Sequence, residues 1–311
     1  MLAVVFPGQG SQTVGMALDF ARAEAVARAA LDEADAAFGG GLLARIEKGP
    51  ESELARTEIT QPAILSASIA IWRVVAAKLP RPPALFAGHS LGEYSAVVAA
   101  GGLPLADAVK LVRRRGALMQ EAVPEGEGAM AAVLGLDPDA ITRVCSEVGG
   151  VVAPANYNSP VQTVIAGRRE AVSAAEKALL AAGAKRVVPL DVSAPFHCEL
   201  MKSAMEKLTP ELAAAGFRDF ATPVIANVDA RPYTTAADAR AKLREQVCAP
   251  VRWVACTQAL LAAGAKLQLE VGPGKVLSGL AAKIDRALGR ANVEKLEDLA
   301  PALAKCAEVS A

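Results

Sequence analysis

The sequence predicts an α/β fold, a core built on a mostly parallel sheet with a smaller βαββαβ subdomain inserted into it. Short apolar runs of strand length alternate with long Ala-rich stretches whose charges recur at helical spacing, the pattern of a parallel sheet with helices on both faces. Near Pro124-Glu125-Gly126 the pattern changes to the order βαββαβ, the ferredoxin-like arrangement. It then returns to α/β and continues to the end. At roughly 100–200 residues per domain, 311 residues hold both units. The expected division is 1–125 with 194–311 as the large, discontinuous core and 126–193 as the insertion.

In chain order, Leu2–Phe6 is an apolar run stopped by Pro7-Gly8, as a buried strand would be. Residues 16–38 read as a helix, and Thr60-Gln61-Pro62 opens another that runs to Lys78. The stiff connector Arg81-Pro82-Pro83 leads to a strand at Ala84–Gly88, a helix from Leu91 to Ala100 and a long helix over Leu105–Val123. The insertion reads as strand Ala129–Leu136, helix Pro138–Val148 opened by Asp137, and strands Val151–Asn156 and Gln162–Ala166 joined by Asn158-Ser159-Pro160. Helix Glu170–Ala182, closed by Gly183, and strand Arg186–Val192 complete it. Strand Val224–Val228, helices around 238–247 and 252–263, strand Lys266–Val271 and a helix from Val276 follow. Val293, Leu296, Leu299 and Leu303 place a last helix over Val293–Ala304.

Composition excludes several functions. Lys plus Arg and Asp plus Glu are 33 each, so the chain lacks the basic excess of a general nucleic-acid binder. The N-terminus has no basic segment before a long apolar one, and no apolar run reaches the ~18 residues of a membrane span. The five cysteines are odd in number and widely spaced, which reads as reduced thiols in a cytoplasmic protein. With two histidines, and no C-x-x-C, no metal site is expected.

Gly88-His89-Ser90-Leu91-Gly92 is G-x-S-x-G at a strand-to-helix junction. Such a turn pushes the serine hydroxyl outward, and the helix N-terminus offers free N–H groups and a positive dipole end to a developing oxyanion. The plain alternative is a serine N-cap with glycines that serve only the turn. A nucleophilic serine needs a base. His89, beside Ser90, directs its ring to the other face. That leaves His197, after the last strand of the insertion, as a base or as an ordinary core or surface histidine. No acidic partner for its ring stands out, and a backbone or glutamine carbonyl would serve equally.

Two further features stand out. Phe6-Pro7-Gly8-Gln9-Gly10 follows the first strand, but Thr13 occupies the third glycine position of a dinucleotide fingerprint. The loop reads instead as one at the carboxyl edge of the sheet, with the Gln9 N–H a candidate oxyanion donor beside that of Leu91. On helix 105–121, Arg115 falls on the apolar stripe of Ala108, Val112 and Met119. A guanidinium facing inward pairs with a protein carboxylate, snorkels to solvent, or grips the carboxylate of a substrate.

These motifs coincide with a known family. PGQGSQ (7–12), TQPAIL (60–65), GHSLGEYSA (88–96), RRGALMQEAVPEGEGAMAAVLGL (114–136), NYNSP (156–160), APFHCELM (194–201), APVRW (249–253) and EVGPGKVL (270–277) run in family order. The chain thus resembles the malonyl-CoA:acyl-carrier-protein transacylases. The resemblance implies a hydrolase-like α/β core with a ferredoxin-like insertion and the active site between them. By position it places the nucleophile on Ser90, the base on His197, the oxyanion hole on the Gln9 and Leu91 backbone and the substrate-carboxylate arginine on Arg115. It also assigns the main-chain carbonyl that orients the histidine to Gln246, and a malonyl-selective ring in the acyl pocket to Phe196.

The implied reaction moves a malonyl group from malonyl-CoA through a malonyl-serine to the phosphopantetheine thiol of acyl-carrier protein, with no cofactor, nucleic acid or membrane involved. Arg113, Arg114, Lys185 and Arg186 are candidates for receiving the acidic carrier, or ordinary solvated basic residues. The rival readings are a serine hydrolase or thioesterase, a malonyltransferase acting in trans for a polyketide synthase, and a non-catalytic carrier-docking subunit.

Overall fold

A computed structural model describes residues 1–192 and 194–310; Ser193, on which the expected subdomain boundary falls, lies outside the described residues. The strands are β1 (Leu2–Phe6), β2 (Leu85–Gly88), β3 (Gly128–Leu134), β4 (Val152–Ser159), β5 (Gln162–Arg168), β6 (Arg186–Pro189), β7 (Val224–Ile225), β8 (Pro232–Tyr233), β9 (Leu267–Val271) and β10 (Gly289–Val293). Six form one sheet in the order β10-β9-β1-β2-β7-β8, parallel except for the β7–β8 pair. The other four form a wholly antiparallel sheet in the order β4-β5-β3-β6. The α/β class read from the sequence is the class observed.

Strand β1 is buried along its whole length because the large sheet is covered on both faces. Its alternate residues serve two cores. Leu2, Val4 and Phe6 join the larger cluster, in which Phe6, Trp72 and Phe86 pack edge-on and stacked with centroids 5.2–6.2 Å apart. Ala3 and Val5 meet Trp253, Cys256 and Leu260 of helix Trp253–Ala262 and Leu277 and Leu280 of helix Val276–Ile284. The small sheet follows the same rule. Ala131, Val133 and Ile165 face the helices Pro138–Glu147 and Arg169–Ala181, while Met130, Ala132, Val164 and Ala166 face the main core.

Several expected elements differ. Residues 16–38 form two helices, Leu18–Ala23 and Ala25–Phe38, broken at the extended Glu24. The helix expected from Thr60 begins at Thr57, so Pro62 lies inside it. There it offers no N–H to the Glu58 carbonyl one turn back, so one helical hydrogen bond is forgone within a thoroughly packed helix. This helix, Thr57–Lys78, is long and apolar enough to cross a membrane by composition, but it is almost wholly buried inside the fold. Strand β4 runs on through Ser159, leaving Pro160-Val161 as the turn, and β6 stops at Pro189. The strand expected over Val224–Val228 shrinks to two residues. Val293 ends the edge strand β10 rather than opening the last helix, which spans Leu299–Ser310. Helix Lys202–Ala214 had no counterpart in the sequence reading.

The fold sets the site at the carboxyl ends of β1 and β2, where open α/β sheets bind ligands. Phe6 pairs with Gly88, so the loops that follow, Pro7–Gln12 and His89–Leu91, lie side by side. They touch so closely that side chains are excluded: a Cβ on Gly92 would stand 2.1 Å from the Phe6 carbonyl oxygen, and one on Gly88 1.9 Å from that of Gly92. Gly92→Ala is therefore expected to destabilise the fold by at least ~1–3 kcal/mol, the usual cost of overpacking. Urea denaturation checks this; an unchanged midpoint contradicts the packing described.

Candidate active site

Ser90 sits between β2 and helix Leu91–Ala99 at φ 52° and ψ −107°, a conformation that L residues rarely adopt. Its strain is held by its neighbours. The Ser90 N–H donates to Asn227 Oδ1 at 2.7 Å, and Asn227 Nδ2 donates to the Gly88 carbonyl at 2.8 Å. His197 also has a positive φ, 60°. Its Nε2 lies 2.7 Å from Ser90 Oγ, and its Nδ1 lies 2.8 Å from the Gln246 carbonyl. A carbonyl only accepts, so Nδ1 carries the ring proton and the lone pair of Nε2 faces the serine hydroxyl. Burial, and then the nearby Arg115 cation, lower the His197 pKa to about 3, so the ring is neutral near pH 7.

Arg115 is 1% exposed, on the buried stripe of helix Leu105–Glu121. Among the described residues its hydrogen bonds all go to uncharged oxygens. Nη1 donates to Gln61 Oε1 at 2.8 Å, and Nη2 donates to Gln246 Oε1 at 3.0 Å and to Ser90 Oγ at 3.3 Å. Nε has no partner, and the guanidinium carbon lies 5.4 Å from the Tyr94 ring centroid. Desolvation lowers its pKa. Neither an internal ion pair nor a snorkelling head describes it; the fork is enclosed beside the nucleophile without an anion.

Gln246 ties these groups together. Its carbonyl takes the His197 proton, its Oε1 takes Arg115, and its Nε2 donates to Glu93 Oε2 at 2.7 Å and to the Ser90 carbonyl at 3.1 Å. Glu93, fully buried, also accepts from the Asn227 N–H and from the Tyr233 hydroxyl, each at 3.0 Å. Burial pushes its carboxyl up to about 7 against the pull of these donors.

The Gln9 and Leu91 amides donate no hydrogen bond within the protein among the described residues, whereas the Ser90 amide is taken by Asn227 and the Gly92 amide by the His89 carbonyl. Gln9 and Leu91 line the same cavity of about 120 Å³ as Ser90, His197, Arg115 and Gln61. Its apolar wall comes from Met119, Met130, Leu190, Val192 and Phe196. The structure thus brings together all seven residues singled out from the sequence. His89 also lines this cavity, but its Nε2 is engaged 2.8 Å from Asn158 Oδ1 on β4 and its ring packs on Trp253.

The basic candidates fare differently. Arg113 donates to the Phe38 carbonyl at 2.6 Å and lies over the Phe38 ring, and Arg114 is 3.6 Å from Glu211, so both are engaged within the fold. Lys185 lays its stem against Gly135, and Arg186 lies exposed on the edge strand β6. Sequence reasoning missed Gln61, Glu93, Asn227 and Tyr233. A glutamine inside the apolar run of helix Thr57–Lys78 was a usable signal for Gln61. Glu93 gave none, because an acid in a first helical turn reads as an ordinary dipole partner.

Known proteins resemble this chain over almost its whole length. Residues 3–305 match the family described as acyl transferase domain. The malonyl CoA-acyl carrier protein transacylase of Escherichia coli (strain K12) is 49% identical over 303 residues, covering 97% of this chain and 98% of that protein. The crystal structure of an acyl carrier protein S-malonyltransferase from Vibrio cholerae superposes with a TM-score of 0.94 at 46% identity, covering 96% of this chain and 99% of that one. A malonyl-transacylase solved in complex with its type II PKS acyl-carrier protein gives 0.95 at 48% identity, covering 98% and 99%.

The ionisation of His197 is directly measurable. Its ring ¹⁵N resonances should show a neutral Nδ1–H tautomer that does not titrate above about pH 5. A midpoint near the ordinary histidine value contradicts the lowering by burial and by the Arg115 charge.

Proposed function

This chain belongs to the acyl transferase domain family, and on that premise we propose that it transfers a malonyl group from malonyl-CoA to the phosphopantetheine thiol of an acyl-carrier protein. The observation that carries this reading is Arg115, a buried guanidinium without an anion whose Nη2 lies 3.3 Å from Ser90 Oγ. A thioester acyl chain that ends in a carboxylate supplies the missing charge. A neutral acyl chain leaves the fork unpaired, at a cost.

His197 Nε2 takes the hydroxyl proton as Ser90 Oγ attacks the malonyl thioester carbon. The tetrahedral oxyanion is received by the Gln9 and Leu91 amides. As it collapses, the C–S bond breaks, the imidazolium protonates the departing CoA sulfur, and malonyl-Ser90 remains. Its free carboxylate is held by Arg115, with Gln61 and Gln246 keeping the fork in plane. The carrier thiol then gives its proton to His197 and takes the acyl group, and Ser90 regains its proton. Every proton and acyl transfer runs through side chains of this protein, so we assign the reaction no cofactor and no metal. Phe196 narrows the apolar wall against substituted malonyl groups. The five free thiols suit a cytoplasmic setting.

A hydrolase or thioesterase reading fits less well. It gives Arg115 no task, and the partner of the His197 Nδ1 is a carbonyl rather than an acid. The likeness to the polyketide-associated enzyme (TM-score 0.95, 48% identity) is close to the likeness to the Vibrio one (0.94, 46%), so carriers of either kind are candidate acceptors.

Intact-mass spectrometry after addition of malonyl-CoA tests the reading. One malonyl adduct should form on Ser90, absent from Ser90→Ala, and discharge to holo-carrier faster than to water. Discharge to water alone points to the hydrolase. Arg115→Ala should lose ~2–5 kcal/mol of malonyl transfer, about thirtyfold or more, and far less of acetyl transfer. Equal losses would remove Arg115 from the clamp.

A further inference from the structure

We propose that Glu93 is the counter-charge of the Arg115 clamp, acting through the side-chain amide of Gln246 as a positioning residue for malonyl selectivity. This deepens the malonyl-transfer reading and rests on it.

Three observations meet at Glu93. It is fully buried three residues after Ser90, and its hydrogen-bond partners are all donors: the Asn227 N–H, Gln246 Nε2 and the Tyr233 hydroxyl. A carboxylate, which only accepts, satisfies that set, whereas an apolar side chain would strand it. The Glu93–Gln246 bond also fixes which way the amide faces. With Nε2 on Glu93, Oε1 is presented to Arg115 Nη2 at 3.0 Å. The flipped amide would set its NH2 against the guanidinium and its oxygen against the carboxylate, so both neighbours reject it. Finally, among the described residues Arg115 has no carboxylate as a hydrogen-bond partner. A carboxylate paired directly with the fork would occupy the place the substrate needs. Set one amide away, Glu93 offsets part of the cost of burying the cation and leaves the fork open.

Glu93→Gln is the decisive variant because it keeps shape and removes charge. Its oxygen can accept from Asn227 and Gln246, and its NH2 can donate to the Tyr233 oxygen. Steady-state transfer from malonyl-CoA and acetyl-CoA is measured for wild type, Glu93→Gln, Arg115→Ala and the double variant at a pH above the Glu93 value of about 7, where its carboxyl is mostly ionised, with thermal melting of each. In Glu93→Gln, KM for malonyl-CoA should fall severalfold with kcat changed little, because the cation then lacks its internal counter-charge and the malonyl carboxylate lacks a like charge nearby, and acetyl transfer should not gain. In the Arg115→Ala background the same change should leave the malonyl-to-acetyl preference where it is. An unchanged or lowered preference in the single variant, an equal change for both substrates, or a change that persists without Arg115 overturns the proposal. If Glu93→Gln does not fold, Tyr233→Phe, which strips one donor from the same carboxylate and so weakens its charged form, should raise the preference about twofold, and no change overturns it. Wild-type protein that takes no malonyl label refutes the transfer reading itself; a labelled wild type with an unaltered variant refutes only the role of Glu93.

Discussion

A cation sealed indoors without an anion is the constraint around which this site is organised. Arg115 is almost fully buried, yet among the described residues its fork donates only to the oxygens of Gln61, Gln246 and Ser90. Taking a guanidinium out of water costs several kcal/mol unless charge or good hydrogen bonds offset it. Here the offset is partial: two amide oxygens, an aromatic face and a carboxylate one amide away, with Nε unsatisfied. In the proposed reading, the carboxylate of a dicarboxylic half-thioester supplies the charge this arrangement lacks.

The same cation reaches the proton chemistry. It helps keep His197 neutral, and a neutral ring with its proton fixed on Nδ1 is the form that accepts from Ser90. Arg115 and His197 are joined through one residue, Gln246, whose carbonyl accepts from the histidine while its side-chain oxygen accepts from the arginine. Beneath them lies the strained corner at Ser90, held by Asn227 from the end of β7 and by glycines that leave no room for a Cβ. The parallel pairing of β1 with β2 brings the two loops together, so the site depends on register as much as on its own residues.

What the sequence disclosed follows from where each signal is carried. Ser90 lay in a local motif, His197 was one of only two histidines, and Arg115 interrupted a helical stripe. Each is visible within a few residues or by elimination. The Gln246 carbonyl and the Phe196 wall came from family resemblance and not from any local pattern. Glu93, Asn227 and Tyr233 stayed hidden because their bonds span 134 to 140 residues and no periodicity encodes them. In the fold, the wholly buried strands β1 and β9 were legible, while the edge strands β8 and β10 were not, since a strand with one open edge is only partly buried and carries little hydrophobic pattern. The break at Glu24 and the placement of Pro62 were decided by packing rather than by propensity.

A crystal structure of the malonyl-Ser90 acyl-enzyme, trapped by soaking with malonyl-CoA in the absence of carrier, tests the central claim most directly. The account predicts the malonyl carboxylate within hydrogen-bond reach of both arms of the Arg115 fork, with Nη2 drawn off the serine oxygen. A carboxylate turned to solvent, with Arg115 still resting on Ser90 and Gln246, would contradict it.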